Sequence, residues 1–165
     1  MNRNEQKVLE LLEENARISI EDIAGLLHIE KKQAADIICK LEKDKIVVKY
    51  TAVINETKVK RQVKKVRALV EVCINPQKKT GFNEIAKRVS RYPEVVDHYL
   101  VAGPYDFLLV VEGKDLEEIS SFVFEKLATL ENVRSTSTHF FMKKYKDHGM
   151  LIDDTEDFER LAISP

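Results

Sequence analysis

Apolar positions recur at helical spacing through the first 45 residues. Val8, Leu11 and Leu12 form one stripe, Ile20, Ile23, Ala24 and Leu27 a second, and Ala34, Ile37, Ile38 and Leu41 a third. This spacing predicts three short helices. Ser19 followed by Asp22 reads as a capping-box start for the second. Leu27-His28-Ile29-Glu30 interrupts the periodicity before the third. Two helices joined by a tight turn and braced by an earlier helix make the helix-turn-helix pattern.

After Lys45 the texture changes. Residues 46–54, from Ile46 to Ile54, are rich in β-branched and aromatic side chains, which predicts the wing of a winged helix and a strand leaving it. From Val66 the pattern predicts a strand over 66–74, a helix over 81–91, strands over 95–102 and 106–112, a helix over 115–130 and a strand over 133–143. The order βαββαβ is the split βαβ, ferredoxin-like arrangement, an antiparallel sheet with both helices on one face. Gly103 and Pro104 fall where the central strands turn, Pro93 ends the first of these helices, and Leu116, Ile119, Phe122, Val123 and Leu127 stripe the second. The expected class is therefore α+β. A winged helix-turn-helix domain occupies 1–50, a linker strand and basic linker 51–65, a ferredoxin-like domain 66–145, and an acidic tail 146–165.

Composition narrows the class without naming a partner. In 165 residues, 44% are apolar and 33% charged, enough for real cores, and the net charge of −1 places any basic surface locally. Cys39 and Cys73 stand apart, without CxxC pairs or neighbouring histidines, which points to a reduced, cytoplasmic compartment. Cys39 is expected as a small buried or half-buried thiol. The acidic, amphipathic start is unlike a signal peptide, and no apolar run approaches the ~18 residues of a membrane span. Lys58, Lys60, Arg61, Lys64, Lys65 and Arg67 meet no acid between 58 and 67. They read as an exposed linker able to add nonspecific affinity or to meet the acidic tail, with Lys64 to Arg67 as charge on an edge strand. The tail carries a balance of −4 and a stripe of Phe158, Leu161 and Ala162, which predicts a short helix from near Asp153. It is expected to be solvated, or to touch its own or a neighbouring subunit.

With both halves laid out, the chain resembles the Lrp/AsnC family of bacterial and archaeal transcription regulators through residues 4–145. Arg17-Ile18-Ser19, Ile23-Ala24, and Leu41-Glu42 followed by Val47 and Tyr50 match the first half in order and spacing. Gly103-Pro104-Tyr105-Asp106 matches the G-x-Y-D loop, and Thr136-Ser137-Thr138 followed by Met142 resembles the last strand. Three positions depart. Glu30 replaces a small capping residue, Asp36 an arginine often found midway along the recognition helix, and Lys45 the glycine that usually ends it. The resemblance implies a sequence-specific DNA-binding regulator. Its homodimers gather into tetramers or octamers, and an amino acid bound in clefts between subunits alters assembly or DNA affinity.

The first 50 residues carry a balance of −1, so placement must create any DNA-binding surface. The N-terminal residues of a recognition helix meet base edges, and here those are Lys31, Lys32 and Gln33; glutamine pairs with adenine, and lysine with guanine or phosphate. Arg17, Lys40, Lys43 and Lys49 are candidates for backbone contacts. Asp36 either repels phosphate or accepts from a cytosine amino group. An ordinary solvated helix surface is the alternative for all of them.

For the second domain the resemblance directs attention to Gly103, Pro104, Tyr105, Asp106, Thr136, Ser137 and Thr138. Asp106 suits an ammonium group, whereas the loop backbone and the hydroxyls of Thr136, Ser137 and Thr138 suit a carboxylate. The alternative is a hairpin turn in which Asp106 caps its own backbone. Pro104 removes one donor from that loop. No catalytic constellation, phosphate loop or metal spacing is visible, so neither an enzyme nor a cofactor is expected. Haem-pathway decarboxylases resemble the same architecture, and His98 and His139, on separate strands of one sheet, are the pair such chemistry would use; His28 and His148 lie elsewhere. A third reading is a sensing and assembly protein with weakened DNA binding.

Overall fold

The computed structural model describes residues 1–56, 58–59, 65–75 and 82–152. The chain divides into two compact units, Met1–Ile54 and a second that begins at Asn55.

The first unit holds α1 (Arg3–Glu14), α2 (Ile20–Leu27) and α3 (Lys31–Lys43). Asn2 and Glu5 cap α1 reciprocally, each side chain bonding the other's backbone N–H. Ser19 accepts from the Asp22 amide at the start of α2. The three apolar stripes converge on a core of Val8, Leu12, Ile23, Ala24, Ala34, Ile37 and Leu41. Each fully buried aliphatic side chain contributes ~1.5–3 kcal/mol.

Two helix ends rely on left-handed residues other than glycine. His28 (φ 53°) follows α2, with its N–H on the Gly25 carbonyl and the Ile29 N–H on the Ala24 carbonyl. Lys45 (φ 55°) follows α3, with its N–H on the Glu42 carbonyl and the Ile46 N–H on the Leu41 carbonyl. Both are Schellman closures, which satisfy orphan carbonyls and turn the chain sharply. His28 thus makes the turn of the helix-turn-helix.

The expected wing strand is not formed. Residues 48–54 carry no strand, and Val48 is 83% exposed. A strand needs a partner for its amides, and this unit offers none beyond the turn that ends α3.

The second unit contains β1 (Val66–Ile74), α4 (Phe82–Val89), β2 (Val95–Leu100), β3 (Phe107–Gly113), α5 (Leu116–Ser121) and β4 (Val133–Phe140). The antiparallel sheet has the order β2-β3-β1-β4, the ferredoxin-like topology. Alternate residues of β1 and β3 are buried, so Ala68, Val70, Val72, Phe107, Leu109 and Val111 face Ile85, Val89, Ile119, Phe122, Val123 and Leu127 of the helices. Both helices cover that one face. α5 continues as a π-helical stretch, Phe122–Leu127, inside the range expected to be α-helix.

Three expectations change here. β1 lies between β3 and β4, so Lys65 and Arg67 are not edge-strand charges; both pair with Glu112 of β3. The last strand ends at Phe140, short of 143. The segment expected as a solvated tail begins with a hairpin, β5 (Lys146–Asp147) and β6 (Met150–Leu151), turned by His148 and Gly149 at positive φ. Ile152 after it is buried, and its carbonyl accepts from the Asn55 side chain. Residues 60–64 of the basic cluster and the helix expected from Asp153 lie outside the described residues.

Candidate nucleic-acid interface and effector loop

α3 buries Ala34, Ile37 and Leu41, which leaves the opposite stripe of Lys32, Asp36, Cys39, Lys40 and Lys43 exposed beside Gln33. Cys39 is therefore exposed, contrary to expectation, because it falls one residue off the core-facing stripe. Glu30 precedes α3 in extended conformation but makes no capping bond, so the first amides of this helix carry no side-chain acceptor.

The lysines of α3 are not equivalent. Lys40 donates to Glu5 of α1 at 2.7 Å, and this bond, with the Asn2 amide, holds the Glu5 carboxyl below its ordinary range. Lys31 pairs with Glu21 of α2. Lys32, Gln33, Asp36 and Lys43 carry no side-chain partner among the described residues. Arg17 is exposed in the turn after α1, and Lys49 is exposed in the irregular segment after α3. That segment is tied back by the Tyr50 hydroxyl, which donates to Glu42 at 3.0 Å. Burial and the nearby Glu42 carboxylate push the Tyr50 hydroxyl above its ordinary pKa. Lys32, Gln33, Asp36, Lys43, Arg17 and Lys49 are thus exposed and hold no ion pair with another described residue.

In the second unit the β2–β3 connection is fastened to β1. The Asp106 amide donates to the Val72 carbonyl at 3.0 Å, its carbonyl accepts from Val101 at 2.8 Å, and its carboxylate accepts from the Ile74 amide at 2.7 Å. The last bond spans the irregularity in the β1–β4 ladder between Cys73 and Ile74. Asp106 therefore caps a neighbouring strand rather than its own turn, and one carboxylate oxygen carries no such bond. Gly103 and Pro104 are exposed and Tyr105 half-buried; Gly103 does not occupy the left-handed region.

Strand alternation divides the three residues expected to act together on β4. Thr136 and Thr138 lie opposite Val72 and Val70 on the helix side, whereas Ser137 lies opposite Glu71 on the open side. The open side also carries Cys73, whose thiol donates to the Pro104 carbonyl at 3.7 Å. Hydrogen bonds with Ser135 and Arg134 hold that thiol below its ordinary pKa. Cys73, Pro104, Asp106 and Ser135 thus meet at one end of the sheet. Cys73 was legible as a strand residue from the two-residue alternation; its place beside the loop depended on the β1–β4 register.

Residues 1–48 match the winged helix-turn-helix DNA-binding family, and residues 67–151 match the Lrp/AsnC ligand binding domain. This chain belongs to the Lrp/AsnC family.

The uncharacterized HTH-type transcriptional regulator YugG of Bacillus subtilis is 38% identical to it over 165 residues, 100% of this chain and 99% of that protein. The proline dehydrogenase transcriptional activator of Rhizobium radiobacter is 26% identical over 144 residues, 87% of this chain and 90% of that protein. Among solved structures, an AsnC family transcriptional regulator from Agrobacterium tumefaciens aligns with TM-score 0.67 and 26% identity, covering 92% of this chain and 96% of that one. The transcriptional regulator NMB0573 of Neisseria meningitidis, solved as its L-Met complex, shares the fold with TM-score 0.67 and 24% identity over 89% of this chain and 93% of that one.

As a member of this family the chain is a transcriptional regulator with a DNA-binding helix-turn-helix and a ligand-binding domain. The Lrp/AsnC fold also separates the histidines that a decarboxylase reading would join. His98 is on β2 and His139 on β4, the two edges of the sheet. His98 packs on the helix side against Phe107, with Ser90 at 2.9 Å, whereas His139 faces Glu71 on the open side. The relatives are named as regulators. No helix among the described residues is long and apolar enough to cross a membrane.

Proposed function

We propose that this regulator reads a specific operator through the N-terminal half of α3, and that an amino acid held near the Gly103–Asp106 loop alters its assembly or its DNA affinity. The observation that carries the reading is the exposed, unpaired set Lys32, Gln33 and Asp36 on the face of α3 opposite its core. Helix side chains of this kind enter a major groove, where glutamine meets adenine and lysine meets guanine or phosphate. Asp36 serves as an acceptor for a cytosine amino group. Lys43, Arg17 and Lys49 supply phosphate contacts.

In the second unit, the open face of the sheet carries half-buried Leu69, Leu108 and Val110 with exposed Tyr99, an apolar patch suited to a second copy of the chain. The chain acts as a homodimer assembling further to a tetramer or octamer, in the cytoplasm with its DNA. It carries out no catalysis. The Met complex of the Neisseria protein supports an amino acid as the effector class. The carboxylate oxygen of Asp106 not held by Ile74 receives the ligand ammonium; Ser137, Ser135 and the loop amides of Gly103 and Tyr105 face its carboxylate. Thr136 and Thr138, half-buried on the helix side, act through packing.

The ion pairs Glu5–Lys40 and Glu21–Lys31 favour a second reading, an assembly and sensing protein whose DNA binding is weak. Footprinting on the chain's own upstream DNA, at several salt concentrations and with each amino acid, separates the two. A protected, salt-sensitive site supports the first; no protection at low salt supports the second.

A further inference from the structure

The open face of the sheet carries charge beside its apolar patch, and its three acids are not provided for alike. Glu112 of β3 is matched by Lys65 and Arg67, whose charges persist through the neutral pH range. Asp97 of β2, opposite Val110, is exposed on an edge strand, where water reaches it. Glu71 has neither remedy. It lies on the inner strand β1, between Leu108 of β3 and Ser137 of β4, and its side chain is only 31% exposed. The partner it has is His139 of β4, whose Nε2 lies 3.5 Å from Glu71 Oε1 and 3.3 Å from the Ser137 hydroxyl. Around that imidazole, β4 contributes Ser137, and β1 contributes Leu69 directly opposite, Glu71, and Arg67, which Glu112 already holds. Among the described residues, Glu71 is thus the charged group that His139 faces.

A second copy laid on this face takes water from Leu69, Leu108 and Val110 and, in the same step, from Glu71. A carboxylate removed from water is costly unless an opposite charge accompanies it. Imidazole supplies that charge only when protonated, and its charge changes between pH 5 and 8. A neutral His139 still offers a hydrogen bond but leaves the Glu71 charge uncompensated. Closing two open faces therefore favours the protonated form, and proton uptake accompanies it.

We propose that Glu71 and His139 make assembly of this regulator proton-linked: each chain takes up a proton at His139 as the open faces close, so the dimer tightens as pH falls from 8.5 to 6.5. This rests on the reading of the open face as the surface that meets a second copy. Two-fold symmetry repeats the pair, so two protons enter per dimer. His98 takes no part, because it packs on the helix side against Phe107, where burial holds it below 6.5.

The test mixes ordinary and isotopically heavy full-length chains at pH 6.5 and 8.5 and follows the appearance of mixed dimers by native mass spectrometry. Circular dichroism checks that each variant folds. Wild type should exchange subunits about tenfold more slowly at pH 6.5 than at 8.5. His139→Gln, which keeps a hydrogen-bond donor without the charge, should exchange fast at both. Glu71→Gln, with no charge to bury, should exchange slowly at both; a merely structural contact would not make it slower than wild type at pH 8.5. Asp97→Asn should behave as wild type. Equal rates for wild type at the two pH values, or no exchange at either, would mean that a cation of the second copy or none neutralises Glu71, and overturns the inference. A pH dependence kept in His139→Gln places the proton on another group, and one kept in Glu71→Gln removes the acid from the switch; either overturns it, as does fast exchange of Glu71→Gln at both. In all these cases mixed dimers still uphold the open face as an interface. Single chains alone, at both pH values, overturn that reading and the inference together.

Discussion

The ammonium of Lys40, on the outer side of the recognition helix, lies 2.7 Å from Oε1 of Glu5 on α1. Glu5 is only 5% exposed and is also the N3 residue that closes the α1 capping box. One carboxylate therefore closes the first turn of α1 and ties that turn to α3. A lysine expected from sequence as a phosphate contact thus also holds an ion pair within its own domain.

Lys40→Met should lower the melting temperature while leaving the salt dependence of operator binding nearly unchanged. Lys43→Ala and Lys49→Ala should do the reverse, each reducing the slope of log affinity against log salt by about 1 with little change in melting. Affinity measured at four salt concentrations checks both. A loss of about one slope unit in Lys40→Met would assign that side chain to phosphate instead.

His28 and Lys45 hold left-handed conformations that favour glycine. Each non-glycine residue there costs about 1 kcal/mol, offset in part because glycine leaves the unfolded chain more freedom. His28→Gly and Lys45→Gly should each stabilise the protein by ~0.5–1 kcal/mol in urea unfolding. Destabilisation would mean that the side chains contribute packing that outweighs the backbone strain.

Acid should weaken the second unit in two stages. Burial holds the His98 imidazole below its ordinary value of 6.5, so its neutral form is favoured in the fold. The resulting stability is present above pH 6.5 and is lost as pH falls through the depressed folded value. Burial also works to raise Glu112, but its bonds with Lys65 and Arg67 prevail and hold it below its ordinary 4.5. Its contribution is present above pH 4.5 and disappears at lower pH still. His98→Phe, which keeps a ring against Phe107, should abolish the first stage and preserve the second in unfolding curves taken between pH 8 and 3. A first stage that survives the substitution assigns it to another group.

Asp106→Ala removes the acceptor of the Ile74 amide, a charged hydrogen bond worth ~1.5–3 kcal/mol. Asp106→Asn keeps an oxygen for that amide and loses the charge. The asparagine variant should therefore fold with near wild-type stability yet lose ligand-dependent change in DNA binding. An asparagine variant that still responds would confine Asp106 to its structural role.

The helices of the first unit were legible because their stripes have one period and their caps use ordinary chemistry, as Ser19 and Asp22 show. The βαββαβ order was equally legible, since alternation along 66–74 and the turn at Gly103-Pro104 are local signals. What sequence could not supply was pairing between distant residues. The Glu5–Lys40 and Lys65–Glu112 bonds join positions 35 and 47 residues apart. Three consecutive hydroxyls at 136–138 read as one cluster until the β1–β4 register sends Ser137 to one face and its neighbours to the other. The wing strand was read from β-branched composition, which specifies an extended chain but supplies no partner for it.

The central claim is that residues 32, 33 and 36 of α3 read bases. Its most direct measurement is operator affinity of wild type, Lys32→Ala, Gln33→Ala and Asp36→Ala, each against the natural site and sites changed one base pair at a time. The account expects Gln33→Ala and Asp36→Ala to lose ~1–3 kcal/mol on the natural site and to become indifferent at one base pair each. Unchanged affinity and unchanged base preference in all three variants would contradict it.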